Sequence, residues 1–263
     1  MAGVTRPAFE LVVEGVSHAY GATTALENIS FRVAAGEIVA VIGPSGCGKS
    51  TLLGIIGGLI APTAGSVGVR GPLPEDSLNP FTFVFQDFAL LPWRDTRANV
   101  MLPLEHHKLD AEEKQARVDD ALARTGLTEF AGALPKQLSG GMKQRVGIAR
   151  ALVVKPAVLL MDEPLSALDG QTRELLMDDF EAIWARENTT GVYVTHNLDE
   201  ALRMADRVLA LCRRPGRVRE IVAIDIPRGE RIKPAALVEL AALREKLWGH
   251  IREEARMADR EVV

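Results

Sequence analysis

Apolar residues along this chain fall into runs of two kinds, short β-rich stretches and longer segments with helical spacing. Leu11 to Val16 and Ile29 to Val33 read as strands, and Glu37 to Ile42 (EIVAVI) as a third that ends at Gly43. Thr51 to Ile60 is apolar and reads as a helix, closed by Pro62 and Gly65. Phe81 to Phe85 (FTFVF) predicts another strand. From Asp87 to Arg150 the pattern is mostly helical after a Pro-containing loop. There Asp110 with Glu113 predicts a capping box for a helix whose apolar side carries Val118 and Leu122. Ala157 to Met161 (AVLLM) is a continuous apolar run of the kind that suits a parallel strand buried on both faces. Leu168 to Trp184 has helical spacing, with Leu175, Leu176 and Ile183 on one side. Gly191 to Thr195 (GVYVT) and Val208 to Leu211 (VLAL) read as further strands. Leu240, Leu243, Leu247 and Ile251 recur at helical spacing between Pro234 and Glu254, which predicts an amphipathic helix packed on the core.

Strands that alternate with helices predict an α/β layered fold with a parallel sheet, into which the mid-chain helical stretch is inserted. The length of 263 residues allows one or two domains, and 47% hydrophobic with 25% charged residues excludes a disordered or fibrous chain. A net charge of −4 gives no support for a nucleic-acid binder held by bulk charge. Cys47 and Cys212 cannot make a disulfide framework, so a reducing compartment is expected. Met1 to Phe9 holds no apolar signal core. Thr51 to Val69 is uncharged, but its strongly apolar part, Leu52 to Ile60, is too short to span a bilayer and is followed by Pro62 and Gly65. The chain is therefore not expected to cross a membrane by itself.

Three motifs carry chemistry. Gly43-Pro44-Ser45-Gly46-Cys47-Gly48-Lys49-Ser50 fits G-x-x-x-x-G-K-[ST] between a strand and a helix. Its glycines let backbone N–H groups turn around phosphate oxygens, and the helix N-terminus adds positive partial charge. Lys49 is expected to reach the β- and γ-phosphates, Ser50 to ligate Mg²⁺ and Thr51 to bond the α-phosphate. Cys47 reads as a small residue in the loop. In Val158-Leu159-Leu160-Met161-Asp162-Glu163-Pro164, two carboxylates emerge at the carboxyl end of a buried strand, where α/β sheets bind ligands. Asp162 is placed to hold Mg²⁺ through water and Glu163 to polarise an attacking water. In Leu138-Ser139-Gly140-Gly141-Met142-Lys143-Gln144-Arg145, Ser139 reads as an N-cap and the glycines leave N–H groups bare at the start of the helix Met142 to Leu152. Two anion-binding helix ends in one chain suggest a nucleotide shared between two chains.

With these motifs in this order, the chain resembles the ATP-binding subunits of ABC transporters from about Leu11 to Ile226. Gly43 to Thr51 matches the family's Walker A, Gln86 its Q-loop glutamine, Leu138 to Arg145 its signature and Leu159 to Pro164 its Walker B. Ser166-Ala167-Leu168-Asp169 is similar to the D-loop, and His196 in VTHNLDEA to the switch histidine. Tyr20 stands where the adenine-stacking aromatic lies, Asn197 where an acid is frequent and Met142 where Gln is common.

The resemblance implies a P-loop NTPase, with a RecA-like parallel sheet core, an N-terminal antiparallel β subdomain and an inserted α-helical subdomain. It implies an ATP-binding domain over residues 1–226, with the insertion at about 87–152, and a C-terminal helical appendage over 227–263. It also implies ATP and Mg²⁺. Glu163, His196, Gln86 and Lys49 then serve hydrolysis, and Ser50, Gln86 and Asp162 serve the metal. A second copy covers the nucleotide with Ser139, Gly140 and Gly141, while Asp169 is expected to cap the helix it opens, to cross to the second copy at the nucleotide, or both.

The implied partners are a membrane permease and, indirectly, a solute-binding protein, at the cytoplasmic face of the cell membrane and without nucleic acid. The stretch Phe85 to Arg94 with Asn99 and Val100 is similar to the nitrate/sulfonate/taurine importer group, as are Arg214 to Val218 and Pro227-Arg228. Trp93 fits either a core or a permease groove. A soluble ABC ATPase of DNA repair or translation is the alternative. The former carries a long coiled coil between phosphate loop and signature, and the latter two nucleotide sites. Arg213, Arg214, Arg217 and Arg219 read as a solvated turn.

Overall fold

The carboxyl ends of parallel strands hold both halves of the chemistry in this fold. A computed structural model describes residues 9–187 and 189–260. The first eight residues, and with them most of the stretch examined for a leader, lie outside it. The chain divides into a unit of residues 1–72 with 190–263 and a unit of residues 73–189.

In the first unit, β1 (Glu10–Tyr20), β2 (Thr23–Ala34) and β4 (Ala64–Arg70) form an antiparallel sheet in the order β2-β1-β4. Leu11, Val13 and Val16 of β1 and Ile29, Phe31 and Val33 of β2 are buried. A second set centres on β3 (Ile38–Ile42), whose five residues are all buried. It pairs in parallel with β7 (Thr190–Val194) on one side and β8 (Arg207–Leu211) on the other, and β9 (Val218–Ala223) adds to β8 antiparallel. Runs without polar residues are what a strand covered on both faces requires, and each buried Val, Ile or Leu contributes about 1.5–3 kcal/mol.

Helix α1 (Lys49–Ile56) follows β3. It stops at Gly57, short of the predicted Ile60, because Gly58 turns left-handed at φ 74° and the Leu59 N–H returns to the Gly54 carbonyl at 2.8 Å. Short helix α6 (Leu198–Met204) lies between β7 and β8, and α7 (Pro234–Arg260) closes the chain. Of the predicted stripe on α7, Leu247 is fully buried and Leu240, Leu243 and Ile251 are half-buried. The arginine-rich stretch that leads into β9 is not simply solvated but tied down on both sides of the strand's start. Arg217 pairs with Glu27 at 2.6 Å, and Arg219 with Glu254 at 2.8 Å and with Glu253.

In the second unit, β5 (Phe81–Val84) and β6 (Val158–Asp162) run parallel. Helices α2 (Thr96–Met101), α3 (Ala111–Arg124) and α4 (Gly140–Leu152) share a core of Val100, Leu104, Val118, Leu122, Val146 and Ala149. Asp110 caps α3 by accepting from the Glu113 N–H at 2.7 Å, whereas the Glu113 carboxylate takes Arg117 instead of completing a capping box. Helix α5 (Gly170–Glu187) buries Leu176 and Ile183 but leaves Leu175 64% exposed, against the expectation that all three share the inner side. Among the described residues, no helix is long and apolar enough to cross a membrane.

Arg231 is the largest fully buried side chain of the first unit, 2% exposed. Its guanidinium donates to the carbonyls of Leu202 and Arg203 at 3.0 Å and Ala205 at 2.5 Å, closing the carboxyl end of α6, and to Ile226 at 2.9 Å. Arg231→Met keeps the stem and removes the donors from these carbonyls. The expected loss is about 2–4 kcal/mol of unfolding free energy. It is read as a lower denaturant midpoint, and an unchanged midpoint contradicts it.

Candidate nucleotide site

Each unit brings two motif loops to one edge of a parallel strand pair. In the first unit, Val41 of β3 faces Val194 of β7 in register, and the Thr195 N–H donates to the Val41 carbonyl at 3.3 Å. The phosphate loop beginning at Gly43 and the loop bearing His196 therefore leave adjacent strands at the same carboxyl edge. In the second unit, Val84 of β5 faces Met161 of β6. Gln86 thus leaves the same edge as Asp162 and Glu163.

The phosphate loop has the geometry of an anion cradle. Gly48 caps α1 in the left-handed region, at φ 100°. A Cβ there would stand 2.7 Å from Leu26 Cδ2 and 3.1 Å from the Ala25 carbonyl oxygen. Gly216, outside the motif, is as constrained. A Cβ on it would come within 2.1 Å of the Cys47 carbonyl oxygen, and its backbone bonds Ala25 and Glu27 of β2 at 2.9 Å. Lys49 is buried, and its ammonium donates to the Gly43 and Pro44 carbonyls at 2.9 and 3.2 Å. These are partners it can exchange for phosphate oxygens. Cys47 is fully buried, and burial pushes its thiol pKa up against the pull of Lys49. This matches a packing residue rather than a reactive one. Tyr20 is exposed, packs edge-on against His18 with ring centroids 4.6 Å apart, and has its hydroxyl 3.4 Å from Thr51 Oγ1.

In the second unit Glu163 adopts φ 46°, a left-handed conformation rare outside glycine. The turn is held by Ser166, whose N–H and hydroxyl donate to the Glu163 carbonyl at 3.1 and 2.9 Å. Strain of this kind concentrates at functional positions. Ser139 caps α4 by accepting from the Met142 N–H at 3.2 Å. Gly140 and Gly141 also answer a packing demand the motif alone does not show. Cβ atoms there would lie 3.2 Å from Leu168 and 3.1 Å from Thr172. Asp169 caps α5, accepting from the Thr172 N–H at 3.0 Å, and hydrogen bonds from the Thr172 side chain and then its backbone hold the carboxyl below the usual range. The Q-loop is fastened to the signature helix. Arg150 of α4 donates to the Phe88 and Ala89 carbonyls at 2.9 and 2.6 Å.

Trp93 is not core; it is 74% exposed. Its loop is clamped from beneath by fully buried Asn99. The Asn99 amide donates to the Leu91, Arg94 and Asp95 carbonyls at 3.2, 2.9 and 3.0 Å and accepts from the Leu91 N–H at 2.8 Å. Arg94 pairs with Glu105 and holds that carboxyl below its usual range. Asn197 supplies the cap of α6, its side-chain oxygen accepting from the Asp199 and Glu200 N–H groups at 2.9 and 3.4 Å. Asn and Asp cap about equally well, which accounts for the amide at this position.

The donor set fits a magnesium nucleotide. In the first unit the loop offers backbone N–H groups, one ammonium and the Ser50 hydroxyl; in the second unit Asp162 and Gln86 offer hard oxygens of the kind Mg²⁺ prefers.

The family model described as ABC transporter matches residues 26–166. The chain is 43% identical over 225 residues to the bicarbonate transport ATP-binding protein CmpD of Synechocystis, covering 83% of this chain and 80% of that protein. It is 40% identical over 247 residues to the taurine import ATP-binding protein TauB of Rhizobium johnstonii, covering 91% and 94%. The structure of the ATP-binding cassette MJ0796, a dimer in a post-hydrolysis state with ADP and Pi, superposes with TM-score 0.68 at 35% identity, covering 82% of this chain and 100% of that one.

Gly48→Ala forces a side chain into an occupied left-handed position. It is expected to cost about 1–3 kcal/mol of stability and to weaken binding of a fluorescent ATP analogue. Gly46→Ala, at φ 76° with nothing within 4 Å of its added Cβ, is expected to cost less stability. Equal midpoints for the two variants contradict the close-approach argument.

Proposed function

The chain belongs to the ABC transporter family, and on that premise we propose that it pairs head to tail with a second copy and drives import of a small solute through a separate membrane permease. The ATP-binding and ATP-hydrolysing cassette of importer type is the established part. The pairing, the residue roles, the partners and the solute are the proposal. The observation that carries it is the emergence of the phosphate loop and His196 from adjacent parallel strands at one edge.

In this reading the loop N–H groups, the start of α1 and Lys49 bind the phosphates of ATP, Tyr20 stacks on the adenine, and Thr51 bonds the α-phosphate. Ser50, Asp162 and Gln86 hold Mg²⁺, which when bound neutralises phosphate charge and polarises the transferring group. Glu163 orients the attacking water and accepts its proton. His196 holds the geometry at the γ-phosphate. Ser139, Gly140 and Gly141 of the second copy cover the same nucleotide, with Asp169 at the junction. ATP favours the closed pair because each nucleotide is then gripped from both sides, and hydrolysis removes that difference in affinity.

The exposed Trp93 on its Asn99-clamped loop supports docking of a permease segment, which would hold the chain at the cytoplasmic face of the cell membrane. The similarity to taurine and bicarbonate transport proteins supports a small solute such as nitrate, a sulfonate or taurine, delivered by a solute-binding protein.

Glu163→Gln is expected to bind ATP, to persist as a dimer in size-exclusion chromatography and to lose at least about 100-fold in kcat; turnover near wild type contradicts the role of Glu163. Trp93→Ala is expected to lower co-purification with the permease while leaving the ATP-dependent dimer intact. Undiminished capture contradicts the docking role. Trp93 is the cleaner probe than Arg94, because reversing Arg94 also sets a carboxylate against Glu105.

A further inference from the structure

Two side chains just before His196 are tied to a single buried acid. Glu200, on α6, is 3% exposed. Its Oε2 accepts from the Thr195 hydroxyl at 2.8 Å and from the Tyr193 hydroxyl at 3.0 Å. The Thr195 oxygen in turn accepts from the Asn197 N–H at 3.0 Å. The Asn197 side chain caps the helix that carries Glu200, so the hydrogen bonds form a ring around the switch position. The far end of that helix is closed by the buried Arg231 guanidinium. A buried acid is costly unless its oxygens are satisfied. Here one of the groups that satisfy it, the Thr195 hydroxyl, also accepts from the Asn197 N–H and so links the backbone on the two sides of His196. The α6 segment is seven residues long, too short to hold its own orientation without such anchors.

We propose that Glu200 is a positioning residue for hydrolysis: it fixes the backbone from Tyr193 to Asn197 so that His196 leaves β7 in one orientation. The proposal rests on the switch role of His196 in the reading above. It places no contact between Glu200 and nucleotide. Removing the carboxylate therefore lowers kcat and leaves nucleotide binding by the phosphate loop nearly unchanged.

Steady-state ATP hydrolysis by the purified chain tests this in a double-mutant cycle. Glu200→Ala is expected to lower kcat about 10- to 100-fold, with KM for ATP within about threefold of wild type. Glu200→Gln keeps an acceptor oxygen and is expected to recover most of that loss. His196→Ala is expected to lower kcat at least as far, and adding Glu200→Ala to it to cost no further rate, since one group acts through the other. Thr195→Val removes one link of the ring without opening a cavity. It is expected to lower kcat about three- to tenfold and serves if Glu200→Ala does not fold. Wild-type kcat in both Glu200→Ala and Thr195→Val overturns the proposal while sparing the role of His196. So does an equal loss from Glu200→Ala with and without His196, because that marks a general structural effect. Wild-type turnover in His196→Ala overturns the switch reading itself, and the proposal with it.

Discussion

Parallel pairing with both faces covered is the constraint on which the rest depends. A strand such as Ile38–Ile42, all of whose side chains are buried, has no place for a polar group along its length. The chemistry is displaced to the residues just beyond its carboxyl end. Register then sets which loops meet, because slipping a strand by one residue would turn every side chain to the opposite face. Val41 opposite Val194 brings the phosphate loop and His196 to one edge, and Val84 opposite Met161 does the same for Gln86 and the Asp162-Glu163 pair.

Close backbone approach is the second requirement, and it explains why glycine recurs at these edges. Gly48 sits against Leu26 and Ala25, Gly216 against the Cys47 carbonyl, and Gly141 against Thr172. Only part of this serves phosphate directly. Gly216 wedges between β2 and the phosphate loop, so the antiparallel sheet and the cradle share a contact surface within the first unit. Glu163 shows the opposite solution. A carboxylate-bearing residue stands there, and Ser166 bonds hold it in a conformation glycine would adopt freely.

Buried polar side chains supply the third layer, by fixing backbone segments too short to fix themselves. Asn99 holds the Trp93 loop, Arg150 holds the segment after Gln86, and Arg231 closes α6. Arg231 satisfies buried carbonyls that would otherwise lack donors, which costs more than an ordinary hydrogen bond gains, while half-buried Arg150 ties down carbonyls of a more exposed segment. Such anchors give the loops a defined shape.

The sequence by itself determined the element types wherever an apolar run was long and regular: β3, β6, β7 and the inward stripe of α7 were all legible. It also determined the motif chemistry, because G-x-x-x-x-G-K-S between a strand and a helix allows few other readings. It was silent on β4, whose AGSVGVR carries no apolar run and is largely exposed, and on α6, whose seven residues are too few to show a period. The overlong reading of α1 and the inward reading of Leu175 failed for a related reason: periodicity counts apolar residues but does not see what faces them. Tertiary structure alone decided which loops share an edge, why Gly216 cannot be anything larger, and that Asn99, Glu200 and Arg231 turn inward to bond backbone or hydroxyl groups. The partners of Asn99 and Glu200 lie only four to eight residues away and those of Arg231 up to 29, but in every case the path of the chain decides the contact, and a polar residue read in isolation looks the same whether it is solvated or buried in a ring of hydrogen bonds.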